Sequence, residues 1–253
     1  MPVYEWSDLL YSTRLPGFRL GALYGLTIAA YLGYWFPVEH EGVKAWFQKR
    51  YETRWQRRLF VANKVWGSVL FSVVLSATLV FFPGFRLLSA VLTVSAEHRI
   101  ATLIWILTLL PFAVLVTGLQ NRTLLKSRRR PTRYPELGAD GWSGRTVALH
   151  GAFWSLYLTV YEILFRGVLL GIPAALIGPW PAVGINAALY SAVHMPKGGQ
   201  EAFGALLLGT LLCLVTLTTG NAYTAIVVHI ALAVSNGLWA KRVHRLMSDE
   251  RVG

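Results

Sequence analysis

From Leu20 to Ala240 the sequence alternates long apolar stretches with short polar ones. A hydrocarbon core of about 30 Å takes roughly 20 residues of helix, and several of the apolar stretches meet or approach that length without a charge in their middle. The pattern predicts about seven spans: Leu20–Phe36, Val65–Phe82, Ile100–Leu119, Phe153–Leu176, Trp180–His194, Ala202–Thr219 and Tyr223–Ala240. Phe85–Ala96 is apolar but too short to cross; it reads as a re-entrant or interfacial piece, with an eighth span as the alternative. The expected fold class is all-α, a polytopic transmembrane helix bundle.

Composition agrees with this pattern. The chain is 55% hydrophobic and only 14% charged, with ten Trp and a mean hydropathy of +0.48. Its net charge of +12 is confined to particular loops. Lys44, Lys49, Arg50, Arg54, Arg57 and Arg58 follow the first span; Arg122, Lys126, Arg128, Arg129, Arg130 and Arg133 follow the third; Lys241, Arg242 and Arg245 follow the last. By the positive-inside rule all of these are cytoplasmic, and seven spans with an outside N-terminus put every one of them there. This distribution leaves nothing for a nucleic-acid partner to explain; the expected partner is membrane lipid with anionic headgroups.

Met1–Gly17 lacks the basic start and apolar core of a signal peptide, so the first span is expected to remain as an anchor. Cys213, the sole cysteine, cannot form an internal disulfide and reads as a small core residue. Together these suggest a multi-pass protein of a bacterial inner membrane, with the endoplasmic reticulum as the other address. The first three spans carry few polar groups, whereas the unusual ones lie beyond the Arg-rich, Pro-containing linker Asn121–Arg145. The expected division is therefore residues 1–139, N-terminal helices with basic loops, and residues 140–253, a chemically active core.

Within that core, Glu162 is the one acidic residue inside any predicted span, with Arg166 a helical turn away. A charge at the centre of a membrane helix costs roughly 2.5–3.5 kcal/mol on insertion scales and needs a partner or a wet cavity. Read alone, the pair is as readily a self-neutralising structural device as a functional one. The next span, however, ends in His194 with Tyr190 and Asn186 on the same face, and the last carries His229 and Asn236 seven residues apart, nearly on one face. A carboxylate and an imidazole can activate water, while a second imidazole and an amide can polarise a carbonyl or hold an oxyanion.

"YEILFRG", "YSAVHMPKG" and "HIALAVSNG" resemble the three motifs of the CPBP family, the CAAX-protease and bacteriocin-processing (Abi) intramembrane proteins, which includes the Ras-converting CAAX endopeptidase. Those motifs read EExxxR, FxxxH and HxxxN or HxxxD. The resemblance covers about Asp140 to Ala240. It implies an intramembrane endopeptidase acting on a membrane-anchored peptide or protein, with Glu162 and His194 flanking a catalytic water, His229 stabilising the tetrahedral intermediate, and Arg166 organising the site.

The chain departs from the motifs at three places. Tyr190 stands where the family has Phe; Tyr161 occupies the position of the first Glu; and Ala233 occupies the usual fourth position after His229, so Asn236 would act one turn later. Adjacent helical residues point about 100° apart, so Glu162 takes over from position 161 only with a local rotation or a helix bulge. A catalytically degenerate membrane scaffold is thus the alternative reading, and a proton-coupled transporter using Glu162 and the histidines a further one. No cofactor is expected. Zinc on Glu162, His194 and His229 is the alternative, but it would leave no carboxylate to act as base.

Overall fold

A computed structural model describes residues 16–82, 92–128, 134, 136–138 and 142–249. Among the described residues all regular structure is helical. In chain order, α1 is Pro16–Glu39, α2 Glu41–Tyr51, α3 Trp55–Phe81, α4 Arg99–Lys126, α5 Gly144–Glu162, α6 Leu169–Ile177, α7 Pro179–Ala192, α8 Gly199–Thr219 and α9 Tyr223–Asp249. Most of the expected interfacial piece Phe85–Ala96 and the core of the Arg run lie outside the described residues.

Among the described residues five stretches are long and apolar enough to cross a membrane: Glu41–Phe81, Ala96–Lys126, Gly144–Ile177, Gly199–Thr219 and Tyr223–Ser248. The first and fifth predicted spans are helical but do not meet that standard. The 24-residue α1 is long enough, yet its apolar run is diluted by Gly21, Gly25, Gly33 and several tyrosines. In α7 the 14 residues reach only about 21 Å at 1.5 Å per residue. Elsewhere the helices expose what water would not tolerate in bulk: Val80 is 79% exposed, Ile100 70% and Leu107 69%. Lipid is the solvent that fits such surfaces.

The chain forms two compact units. The first comprises Met1–Gly33, Val69–Ile106 and Thr159–Ile226; the second comprises Tyr34–Ser68, Leu107–Leu158 and Val227–Gly253. In the first unit, α7 packs against α6 and α8. The break between α6 and α7 follows from two adjacent residues. Gly178 adopts φ 92°, open to glycine and strained for other residues, and Pro179, which has no N–H to satisfy, occupies the first turn of α7. α8 ends on Gly220 in the left-handed region, whose N–H closes on Thr216 O at 2.8 Å.

In the second unit, α3 begins at Trp55, ahead of the predicted start at Val65, so Lys64 lies inside the helix and is 1% exposed. A buried ammonium needs a counter-charge and polarisable neighbours. Glu136 Oε2 lies 2.8 Å from Nζ, Tyr34 Oη 3.2 Å, and the Trp154 ring centroid 3.7 Å. The stacked rings of Tyr34 and Tyr157 close over Gly67, where a Cβ would come within 2.7 Å of both.

Candidate active site around Glu162 and Arg166

Directly after Glu162 the helix changes type: Ile163–Val168 is a π-helical segment, closed by Leu169 N–H to Leu164 O. Such a bulge inserts one residue into the helix, turns everything downstream relative to what precedes it, and leaves carbonyls without their α-helical donors. Two side chains supply replacements. Asn186 Nδ2 of α7 donates to Phe165 O at 2.7 Å. Leu169 O would ordinarily accept from the N–H of residue 173, which is Pro; Tyr24 Oη of α1 donates there instead, at 3.1 Å.

Glu162 and Arg166 are both fully buried and form an ion pair, Arg166 Nε to Glu162 Oε2, at 2.9 Å. Nη1 is engaged as well, whereas Nη2 is buried with no hydrogen-bond partner among the described residues. Nη1 lies 2.7 Å from Asn186 Oδ1, 3.0 Å from Cys213 Sγ and 3.3 Å from Gly209 O, and the guanidinium plane sits over the Tyr190 ring with Cζ 4.6 Å from the centroid. Tyr190 Oη donates to Glu162 Oε1 at 3.4 Å, and Cys213 Sγ donates to Asn186 Oδ1 at 3.2 Å. A buried ion pair depends on how far its remaining donors and acceptors are met, and here one Arg gathers groups from α5, α7 and α8 while one of its nitrogens, Nη2, goes without a partner among the described residues.

His194 closes α7. Its Nδ1 lies 2.7 Å from Tyr190 O, and since a carbonyl only accepts, Nδ1 carries the proton and Nε2 is the basic nitrogen of the neutral ring. The imidazole packs on the Tyr190 ring at 5.0 Å between centroids and is partly exposed. Tyr161 faces differently from Glu162, as adjacent helical residues must. It stacks on Phe165 at 4.3 Å and meets the edges of Phe71 and Tyr190 at 5.7 and 5.8 Å. The position of the first motif Glu is thus held by a ring in an aromatic cluster.

The other two motif residues lie in the second unit, on α9. His229 is partly exposed. Asn236 Oδ1 accepts from Asn121 Nδ2 at 2.9 Å, and Ser235 Oγ pairs with Thr117 Oγ1 at 2.9 Å, both across to α4. Of the residues singled out in the sequence, the structure therefore brings Glu162, Arg166, Tyr190, Tyr161 and His194 together within the first unit.

Three contributors escaped the sequence reading. Cys213, read as a core residue, is a partner of Arg166; Gly209 gives Arg166 its carbonyl; and Tyr24 repairs the helix at Pro173. The only signal for the first two is their spacing, small residues four apart on one face of α8. At Gly209 a Cβ would come within 3.0 Å of Tyr190 Cδ1, so the gap in side chains is what admits the ring.

Residues 146–235 match the model of a protein family described as type II CAAX prenyl endopeptidase Rce1-like. The matched stretch is less than half of the chain; it contains Glu162, Arg166, Tyr190, His194 and His229 and stops just before Asn236. Searches of curated proteins and of solved structures gave no match. Through residues 146–235, this helical integral membrane protein is related to the Rce1-like type II CAAX prenyl endopeptidases.

Proposed function

We propose that the protein is an intramembrane endopeptidase that hydrolyses a membrane-anchored peptide or protein by glutamate-type chemistry. The observation that carries this reading is the site built after Glu162. Within the stretch related to CAAX endopeptidases, a π-bulge, Arg166, Asn186 and Tyr190 fix one buried carboxylate in place. π-Bulges are frequent at functional sites, where they offset the backbone hydrogen bonds they disrupt by re-aiming side chains. In the proposed mechanism Glu162 takes the proton of the attacking water and passes it to the leaving amine. His194 holds the water through Nε2, and His229 with Asn236 stabilises the oxyanion of the tetrahedral intermediate. Arg166 and Tyr190 position Glu162. Residues 140–253 form the catalytic core and residues 1–139 the supporting helices.

No metal enters this scheme. Glu162 already meets Arg166 through one oxygen and Tyr190 through the other, and a cation there would compete with the guanidinium. Zinc on Glu162, His194 and His229 remains the competing scheme. The proposed setting is a bacterial inner membrane, crossed seven times with the basic loops in the cytoplasm against anionic lipid.

A second reading has its own support. Glu162 is 0% exposed and Tyr161 fills the first motif position with a packed ring, as expected of a relative that kept the fold and lost the chemistry. Comparison of membrane-protein termini in cells carrying wild type, Glu162→Gln or His194→Ala, at matched expression, separates the two. One precursor accumulating uncut in both variants is the expected result. Unchanged termini, with a phenotype only on removal of the whole protein, would leave the scaffold reading standing.

A further inference from the structure

A cavity lies wholly within the second unit, between the C-terminal halves of α4 and α9, with a volume of about 740 Å³. That is within the usual ~300–1,000 Å³ range of ligand sites. Its wall on α4 runs from Leu110 to Leu125, a rise of about 22 Å. A hydrocarbon core is ~30 Å thick, so this groove serves one leaflet and its headgroup rather than a crossing helix. Leu110, Val114 and Leu115 make it apolar at one end. Trp239 forms part of the wall because Gly118 has no side chain to hold it off; a Cβ there would meet the indole at 3.2 Å.

The charge is at the other end and of one sign. Arg122 and Arg242 line the cavity, both exposed, and among the described residues neither has a carboxylate partner. Arg242 Cζ is held 5.6 Å from the Trp239 ring centroid, which places its guanidinium beside the apolar channel. Asn121, 2% exposed, lines the same cavity. Its Nδ2 donates to Thr117 O and to Asn236 Oδ1, each at 2.9 Å, which leaves Oδ1 buried with no donor. A buried acceptor in that state requires a donor from elsewhere. Beside two guanidinium groups a neutral hydroxyl fits there better than an ammonium.

We propose that this groove binds one anionic phospholipid with a hydroxyl-bearing headgroup: the acyl chain lies along α4, the phosphate between Arg122 and Arg242, and a headgroup hydroxyl donates to Asn121 Oδ1. Asn121 also holds Asn236, so the lipid site touches the third sequence motif through one side chain. The assignment stands independently of proteolysis.

The test uses the full-length protein purified in a non-ionic detergent and titrated with phosphatidylglycerol or phosphatidylcholine of identical chains, bound lipid being counted by native mass spectrometry. Phosphatidylglycerol is expected to bind at one equivalent and to outcompete phosphatidylcholine. The Arg122→Gln/Arg242→Gln variant should lose about 30-fold in phosphatidylglycerol affinity, the effect of two basic residues at a membrane surface. Both positions are exposed, so helicity and thermal midpoint without lipid should be unchanged. Gly118→Leu, which drives Trp239 into the channel, should abolish binding of both lipids while Arg122 and Arg242 remain. Equal binding of the two lipids, or full phosphatidylglycerol binding by the double variant, would overturn the proposal. So would one-for-one displacement by a farnesylated peptide, which would make the groove part of the substrate site.

Discussion

Arg166 is the side chain on which the buried polar groups of the first unit converge, and its substitution should be felt as stability before it is felt as chemistry. Arg166→Met leaves Glu162 charged, buried and without its counter-ion, at an expected cost of about 3–5 kcal/mol. Arg166→Lys keeps the charge but cannot present the planar fork that reaches Glu162, Asn186, Gly209 and Cys213, so it should rescue only part of the loss. Removing both charges, Glu162→Met with Arg166→Met, should restore more stability than Arg166→Lys. Thermal unfolding in detergent measures all three; equal midpoints for wild type and Arg166→Met would mean the pair is not the anchor its contacts indicate. At this scale the pair itself was legible, since Glu and Arg four apart in an apolar helix leave few options. Cys213 was not legible, because a thiol in a membrane helix looks the same whether it touches Leu or Arg.

The bulge after Glu162 and the proline beyond it are properties of the element, and together they trade backbone hydrogen bonds for side-chain ones. Pro173 removes the donor that Leu169 O would have had, and Tyr24 restores it from α1. A double-mutant cycle tests this exchange. Tyr24→Phe should cost about 1 kcal/mol in the natural sequence, the worth of a buried carbonyl left unpaired. In a Pro173→Ala background the restored backbone N–H can serve Leu169 O, and the same substitution should cost close to nothing. Equal costs in both backgrounds would show that Tyr24 contributes only packing. The departure at Tyr161 implied that a bulge or rotation is needed near Glu162, but not its position. The π segment follows Glu162, so it re-aims Arg166 relative to Glu162 and leaves Tyr161 and Glu162 diverging as in any helix.

For the molecule as a whole, sidedness rests on two helices that are less emphatic than the pattern suggested. α7 is short enough to dip into the membrane and return, whereas the proposed seven-span topology has it cross. Cys213, the only cysteine, is fully buried, so introduced cysteines report without background. Trp180→Cys and Met195→Cys, at exposed positions on either side of α7, should react with a membrane-impermeant maleimide from opposite faces of the membrane. Lys49→Cys should share the face of Met195→Cys. Labelling of positions 180 and 195 from one face would make α7 re-entrant and remove the basis for an outside N-terminus.

By itself the sequence determined that this is a helical membrane protein, that Glu162 and Arg166 stand one helical turn apart in an apolar segment with Tyr190 and His194 likewise spaced in the next, and that this stretch resembles a CAAX-protease family. It could do so because hydropathy over roughly 20 residues and spacing at one helical turn are local quantities. The tertiary structure alone decided how far each helix extends, which small residues of α8 admit Arg166 and Tyr190, where the helix bulges, and that Lys64 and Asn121 are buried. Each of these depends on which side chain arrives from another helix. Burial and the choice among competing hydrogen-bond partners are set by such distant arrivals, and a one-dimensional pattern carries no record of them.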